Sequence, residues 1–183
     1  MTTGNMAGNM NGNIDGKDMD STAGSTIVGT NALLTAVFVV SAVISTVIFD
    51  QPWKAVAVAV AIAAFSVGVV AFLWGYFAAV QRSRRDDIAV AALYFLVDGV
   101  APRSIARVMN GLLTVQVTVG LVTAIVRGST DGEPGSTLAF GILVPMLGLG
   151  LNGLWGALHG TFRPRATEVH GGDPPNGQDE SHD

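Results

Sequence analysis

The sequence predicts an all-α, polytopic membrane protein: four transmembrane helices in a bundle, a short interfacial or re-entrant helix, and a disordered tail at each end. Three observations predict it. Four apolar runs, at residues 30–49, 55–80, 108–126 and 137–158, contain no Lys, Arg, Asp or Glu. Each matches the ~20 apolar residues that an α-helix needs to cross ~30 Å of hydrocarbon. Charged residues make up only 13% of the 183 residues, well under the ~25% usual in soluble domains. Finally, the basic residues crowd the flanks on one side of the runs.

Residues 1–25 are rich in Gly, Asn, Met and Asp, with glycine at 4, 8, 12 and 16. Such a segment buries too little apolar surface to offset the ordering of its backbone, so a disordered cytoplasmic tail is expected. Met1, Met6, Met10 and Met19 are soft donors of the kind copper(I) takes, but their scatter through low-complexity sequence favours a plain tail. The four-helix transmembrane domain then occupies residues 26–165. In its first run Ser41, Ser45 and Thr46 are small polar groups able to bond to their own backbone or across an interface. Asp50, Gln51 and Pro52 make a very short turn, so the first two helices form an antiparallel hairpin, with Trp53 at the interface. The run at 55–80 is long, ~39 Å by helix rise. Its stripe of Ala64, Gly68, Ala71, Gly75 and Ala79 lets another helix approach closely.

The connection that follows holds Arg82, Arg84 and Arg85, then Asp86 and Asp87, which suit the first turn of a helix. The apolar stretch 88–97 is ten residues, ~15 Å of helix and half of a span. A crossing there would also separate its flanking arginines. Residues 86–98 are therefore expected to pack on the bundle as an interfacial or re-entrant segment. Asp98-Gly99 stops it, and Pro102 suits the start of the next helix. That helix carries Asn110 and Gln116. The last run is glycine-rich with Pro145 near its middle, so a bend is expected there. Residues 166–183 form a second, acidic tail.

Basic residues beside the spans number eight on one side, namely Lys17, Arg82, Arg84, Arg85, Arg103, Arg107, Arg163 and Arg165, against Lys54 and Arg127 on the other. The positive-inside rule then places both termini in the cytoplasm and the protein in the plasma membrane as a multi-pass chain. The net charge of −4 belongs to the tails, because residues 26–165 are net basic. No exposed basic groove for nucleic acid is expected.

Chemistry-bearing motifs are few. Gly148 to Gly153 matches a dinucleotide-binding fingerprint, but without a preceding strand it reads as glycines for helix packing. Gly156 and Gly160 form a GxxxG pair. Gln116 and Asn152 are the strongest deep polar residues and read as helix glue. His159, near Trp155 and Arg163, reads as an interfacial anchor. The chain has no cysteine, and no nucleophile–base pair, phosphate loop or metal-ligand spacing is evident. No enzyme activity, metal or cofactor is expected. The candidate packing residues are Gly68, Gly75, Gln116, Pro145, Gly148, Asn152, Gly156 and Gly160.

The stretch from Leu138 through Pro145, Asn152 and His159 to Arg165, with Ala101-Pro102-Arg103 and the Gln116 helix before it, resembles a group of small uncharacterised four-span integral membrane proteins of actinobacteria. The resemblance covers roughly residues 72–165; it implies a helical membrane protein and nothing catalytic, and it carries over no functional residue. The expected role is that of a non-enzymatic accessory or interaction subunit acting through helix packing. Its partners would be the lipid bilayer and either a second copy or another membrane protein. The alternative is a small transporter or channel subunit, against which stands the absence of an ionisable residue inside any span.

Overall fold

The computed structural model describes residues 7–48, 50, 52–126, 129–130, 133–134 and 137–164, with side chains at 22–48, 50, 52–126 and 139–164. Its helices are α1 (Ala7–Val47), α2 (Trp53–Arg82), α3 (Val90–Phe95), α4 (Arg103–Val126) and α5 (Pro145–His159), with a 3-10 helix at Thr137–Leu143 leading into α5. Four helical stretches are long and apolar enough to cross a membrane: Thr22–Val47, Trp53–Arg82, Arg103–Val126 and Ala139–His159. They coincide with the four apolar runs.

The fourth stretch sits innermost. Its most apolar window is 61% buried, against 28% for each of the others. It lies along α2 and also meets α1, α3 and α4. Phe38, Met109, Leu147 and Trp155 fill the interior, yet many large apolar side chains point outward. Val70 and Trp74 are each 66% exposed and Ile125 is 76% exposed. So extensive an apolar exterior suits hydrocarbon rather than water.

Why α2 can lie so close to α5 follows from its sequence. Its buried face is Ala57, Ala61, Ala64, Gly68, Ala71, Gly75 and Ala79, one small residue every three or four positions. A Cβ on Gly68 would stand 2.5 Å from the backbone N of Leu147, and one on Gly75 would stand 2.8 Å from the backbone of Gly153. Backbone meets backbone at both places, as small-residue interfaces permit.

Three expectations need correction. The N-terminal tail was expected to be disordered to residue 25, yet α1 begins at Ala7. A helix already nucleated by an apolar span adds one hydrogen bond per residue without a new nucleation cost, which lets it run on through polar sequence. Asp86 and Asp87 do not start a helix. They form a two-residue antiparallel ladder with Arg163 and Pro164, and α3 starts at Val90. Pro145 does not bend an α-helix at mid-length. It is the first residue of α5, where its missing N–H costs nothing, and the residues before it wind as 3-10. The C-terminal tail, 166–183, lies outside the described residues.

At the arginine-rich end the connections are fastened together. Arg82 Nε donates to Asp86 at 2.7 Å and its Nη1 donates to the Ala157 carbonyl at 3.2 Å, so a cation sits at the negative end of α5. The same guanidinium lies 5.1 Å over the Phe162 ring. Thr161 is held by Val100 and Gly99 carbonyls at 3.0 Å each. At the other end Ser45 Oγ donates to the Trp53 carbonyl at 2.8 Å, closing the α1–α2 hairpin.

Candidate functional site

Two polar nodes hold the helices around α5, and each contains one of the two residues that stood out in the sequence as the strongest deep polar groups, Gln116 and Asn152. The first centres on Gln116 of α4, which is fully buried. Pro145 starts α5, so the first amides of that helix have no partner within it. Gly148 N–H donates instead to Gln116 Oε1 at 3.0 Å. Gln116 Nε2 donates to Asn31 Oδ1 at 3.1 Å and to Thr35 Oγ1 at 2.7 Å, both on α1.

The orientation of this node is forced. A backbone N–H can only donate, so the amide oxygen of Gln116 must face Gly148 and its nitrogen must face α1. Asn31 then turns its oxygen to Gln116, and its Nδ2 has no partner among the described residues. A Cβ on Gly148 would lie 2.7 Å from Gln116 Oε1, so a larger residue there would push the amide out of this position. Gln116 thus caps α5 from the side and joins α1, α4 and α5 in one contact.

The second node fixes the connection between α2 and α4. Asn152 of α5 donates to the Tyr94 carbonyl at 3.1 Å and to Asn110 Oδ1 at 3.0 Å. Asn110 Nδ2 donates to the Phe95 carbonyl at 2.6 Å. These are the last carbonyls of α3, which ends as Leu96 turns left-handed at φ 51°. Two asparagines from neighbouring helices therefore cap α3, and its Ala92, Leu93 and Tyr94 are buried. α3 packs on α5. Phe72 stacks on Tyr94 with centroids 4.6 Å apart.

The remaining packing candidates also turn inward. A Cβ on Gly156 would meet the Leu93 carbonyl at 2.9 Å, and one on Gly160 would meet Val100 Cγ1 at 2.7 Å. The GxxxG pair is thus taken up by α3 and the segment after it. The fingerprint-like glycines 148–153 lie inside α5, where Gly150 faces Gly68 and Gly153 faces Tyr94, so their amides are not arranged for a phosphate. His159 stacks on Trp155 at 5.6 Å.

Sequence reasoning missed Asn31 and Thr35. Their spacing of four residues was the available signal, because it puts both on one helix face. It also treated Lys54 only as a charge on the opposite side, whereas Lys54 is 5% exposed at the start of α2. Among the described residues no cluster of three metal-ligating side chains occurs. Comparison of the chain with protein-family models, curated proteins and solved structures gives no match.

Proposed function

We propose that this chain is an integral plasma-membrane protein with both termini in the cytoplasm, acting as a non-enzymatic accessory subunit that packs against another membrane helix. One observation carries the reading. The small-residue stripes are consumed inside the chain, and a separate cleft of about 520 Å³ is left on the outer face between α2 and α5. Val67, Val70, Trp74, Leu154 and Leu158 line it, with no charged residue among the lining side chains. A helix with an apolar ridge fits such a cleft by van der Waals packing, the dominant attraction between helices in lipid.

The absence of cysteine makes the test clean. V70C and L154C, in the cleft, are compared with V122C, an exposed position on α4, by cysteine cross-linking in native membranes. Adducts to a second polypeptide at the two cleft positions, and none at V122C, support the reading. Adducts at none of them, or at all three equally, contradict it.

A second reading, a small transporter or channel subunit, is favoured by the break before Pro145. A half-helix N-terminus at mid-span is a common way to build a substrate site in transporters. Here Gln116 fills that position. Solute flux into vesicles above that of a Q116M variant would favour the transporter over the accessory subunit.

A further inference from the structure

The arginine-rich end carries a crevice of about 1060 Å³ between α1, the start of α4 and the end of α5. Val28, Val100 and Ile105 give it apolar walls, and Trp155 and His159 line it as well. Trp155 is 4% exposed. Its Nε1–H finds no acceptor among the described residues, and neither does His159 Nδ1 find a partner. An indole N–H can only donate, and burying it without an acceptor is unfavourable. Nε1 faces Gly24, which lines the same crevice; a Cβ there would lie 3.3 Å away.

Beside this donor is the start of α4. The first backbone bond of that helix runs from Ala106 N–H to the Pro102 carbonyl at 3.0 Å. The amides of Arg103, Ser104 and Ile105 precede it, so they have no acceptor within the helix. The first turn contains no acid, and Arg103 adds a full positive charge to the helix dipole. Asp87 and Asp98 line an adjoining cleft that shares Gly99, Val100 and Thr161 with this crevice, and neither lines the crevice itself. The negative end of α5 is already met by Arg82 at the Ala157 carbonyl.

A ligand suited to these walls has an anionic oxygen at one end and an apolar body. Free phosphate would leave the apolar walls against water. A bare hydrocarbon chain would leave the indole and the helix amides without an acceptor. We propose that this crevice binds an anionic phospholipid from the adjoining leaflet. Its phosphate and ester oxygens meet Trp155 and the start of α4, and an acyl chain lies along Val28 and Ile105. The proposal rests on the membrane placement and not on the subunit role.

The test uses the full chain with W53F and W74F, so that Trp155 is the sole tryptophan and is excited selectively over tyrosine, in phosphatidylcholine vesicles containing a minor fraction of brominated lipid. Brominated phosphatidylglycerol should quench Trp155 in preference to brominated phosphatidylcholine by about fivefold, the scale of one arginine contact to an anionic surface. R103Q should remove most of that preference, while R84Q, an exposed arginine outside the crevice, should leave it. V28F, which fills the crevice, should remove it with helicity unchanged. Equal quenching by the two lipids overturns the proposal. So does an equal loss in R84Q and R103Q, which would mean diffuse attraction. Displacement of the lipid by excess inorganic phosphate would identify a free-phosphate site and overturn it too.

Discussion

Replacing Gln116 by methionine, unbranched and of similar length, isolates the polar contact from the packing. Three hydrogen bonds go: Gly148 N–H to Oε1, and Nε2 to Asn31 and to Thr35. Hydrogen bonds between membrane helices are worth about 0.6 kcal/mol each on average and reach about 1.7. The buried Gly148 N–H loses the Gln116 acceptor, which adds the penalty of an orphaned donor, about 1–3 kcal/mol. A destabilisation of about 3–5 kcal/mol is expected. Reversible unfolding in mixed micelles measures it. T35V and the double variant Q116M/T35V complete a cycle, and the double variant should cost less than the sum of the singles by about 0.5–1 kcal/mol. A Q116M cost within the noise, or strict additivity in the cycle, would refute the idea that this node joins α1, α4 and α5.

Other expectations follow from single contacts. G68A should destabilise by at least about 2 kcal/mol, because its Cβ would press on backbone that no rotamer change can move; G111A, with nothing within 4 Å, should stabilise by about 0.5–1 kcal/mol. Thermal unfolding of the pair checks both. N152L should release the end of α3, so that hydrogen exchange in residues 90–100 accelerates by about tenfold while the centre of α2 is unchanged. The Tyr94 hydroxyl is buried without a partner among the described residues, so Y94F should be neutral or stabilising by up to about 1 kcal/mol. Burial, and secondarily Tyr76, raises the Tyr94 pKa above its ordinary value. The folded chain then keeps that proton longer than the unfolded one. This stability is complete below about pH 10 and is lost as pH rises further, so wild type should lose more thermal stability than Y94F between neutral and strongly alkaline pH.

What the sequence made legible was set by length and charge. Four charge-free runs of sufficient length give four helices whatever their partners, and ten apolar residues cannot span. Gln116 and Asn152 were visible as candidates because an amide deep in an apolar run needs a partner. Their partners were not visible. Asn31 and Thr35 lie 85 and 81 residues from Gln116, and only packing joins them. Pro145 was read as a bend because a long apolar run implies one continuous α-helix. The 3-10 turn before it, with Gln116 standing in as an outside cap, depends on a side chain from α4. Likewise, whether Gly156 and Gly160 served this chain or another was undecidable by pattern. Leu93 and Val100 occupy them.

The proposed topology is four crossings with the arginine-rich end in the cytoplasm. Single cysteines at Ser83, in the connection after α2, and at Ser129, in the connection after α4, test it directly by labelling intact cells with a membrane-impermeant maleimide. S129C should label in intact cells, and S83C only after lysis. Labelling of S83C in intact cells, or equal accessibility of the two, would contradict both the crossing count and the orientation.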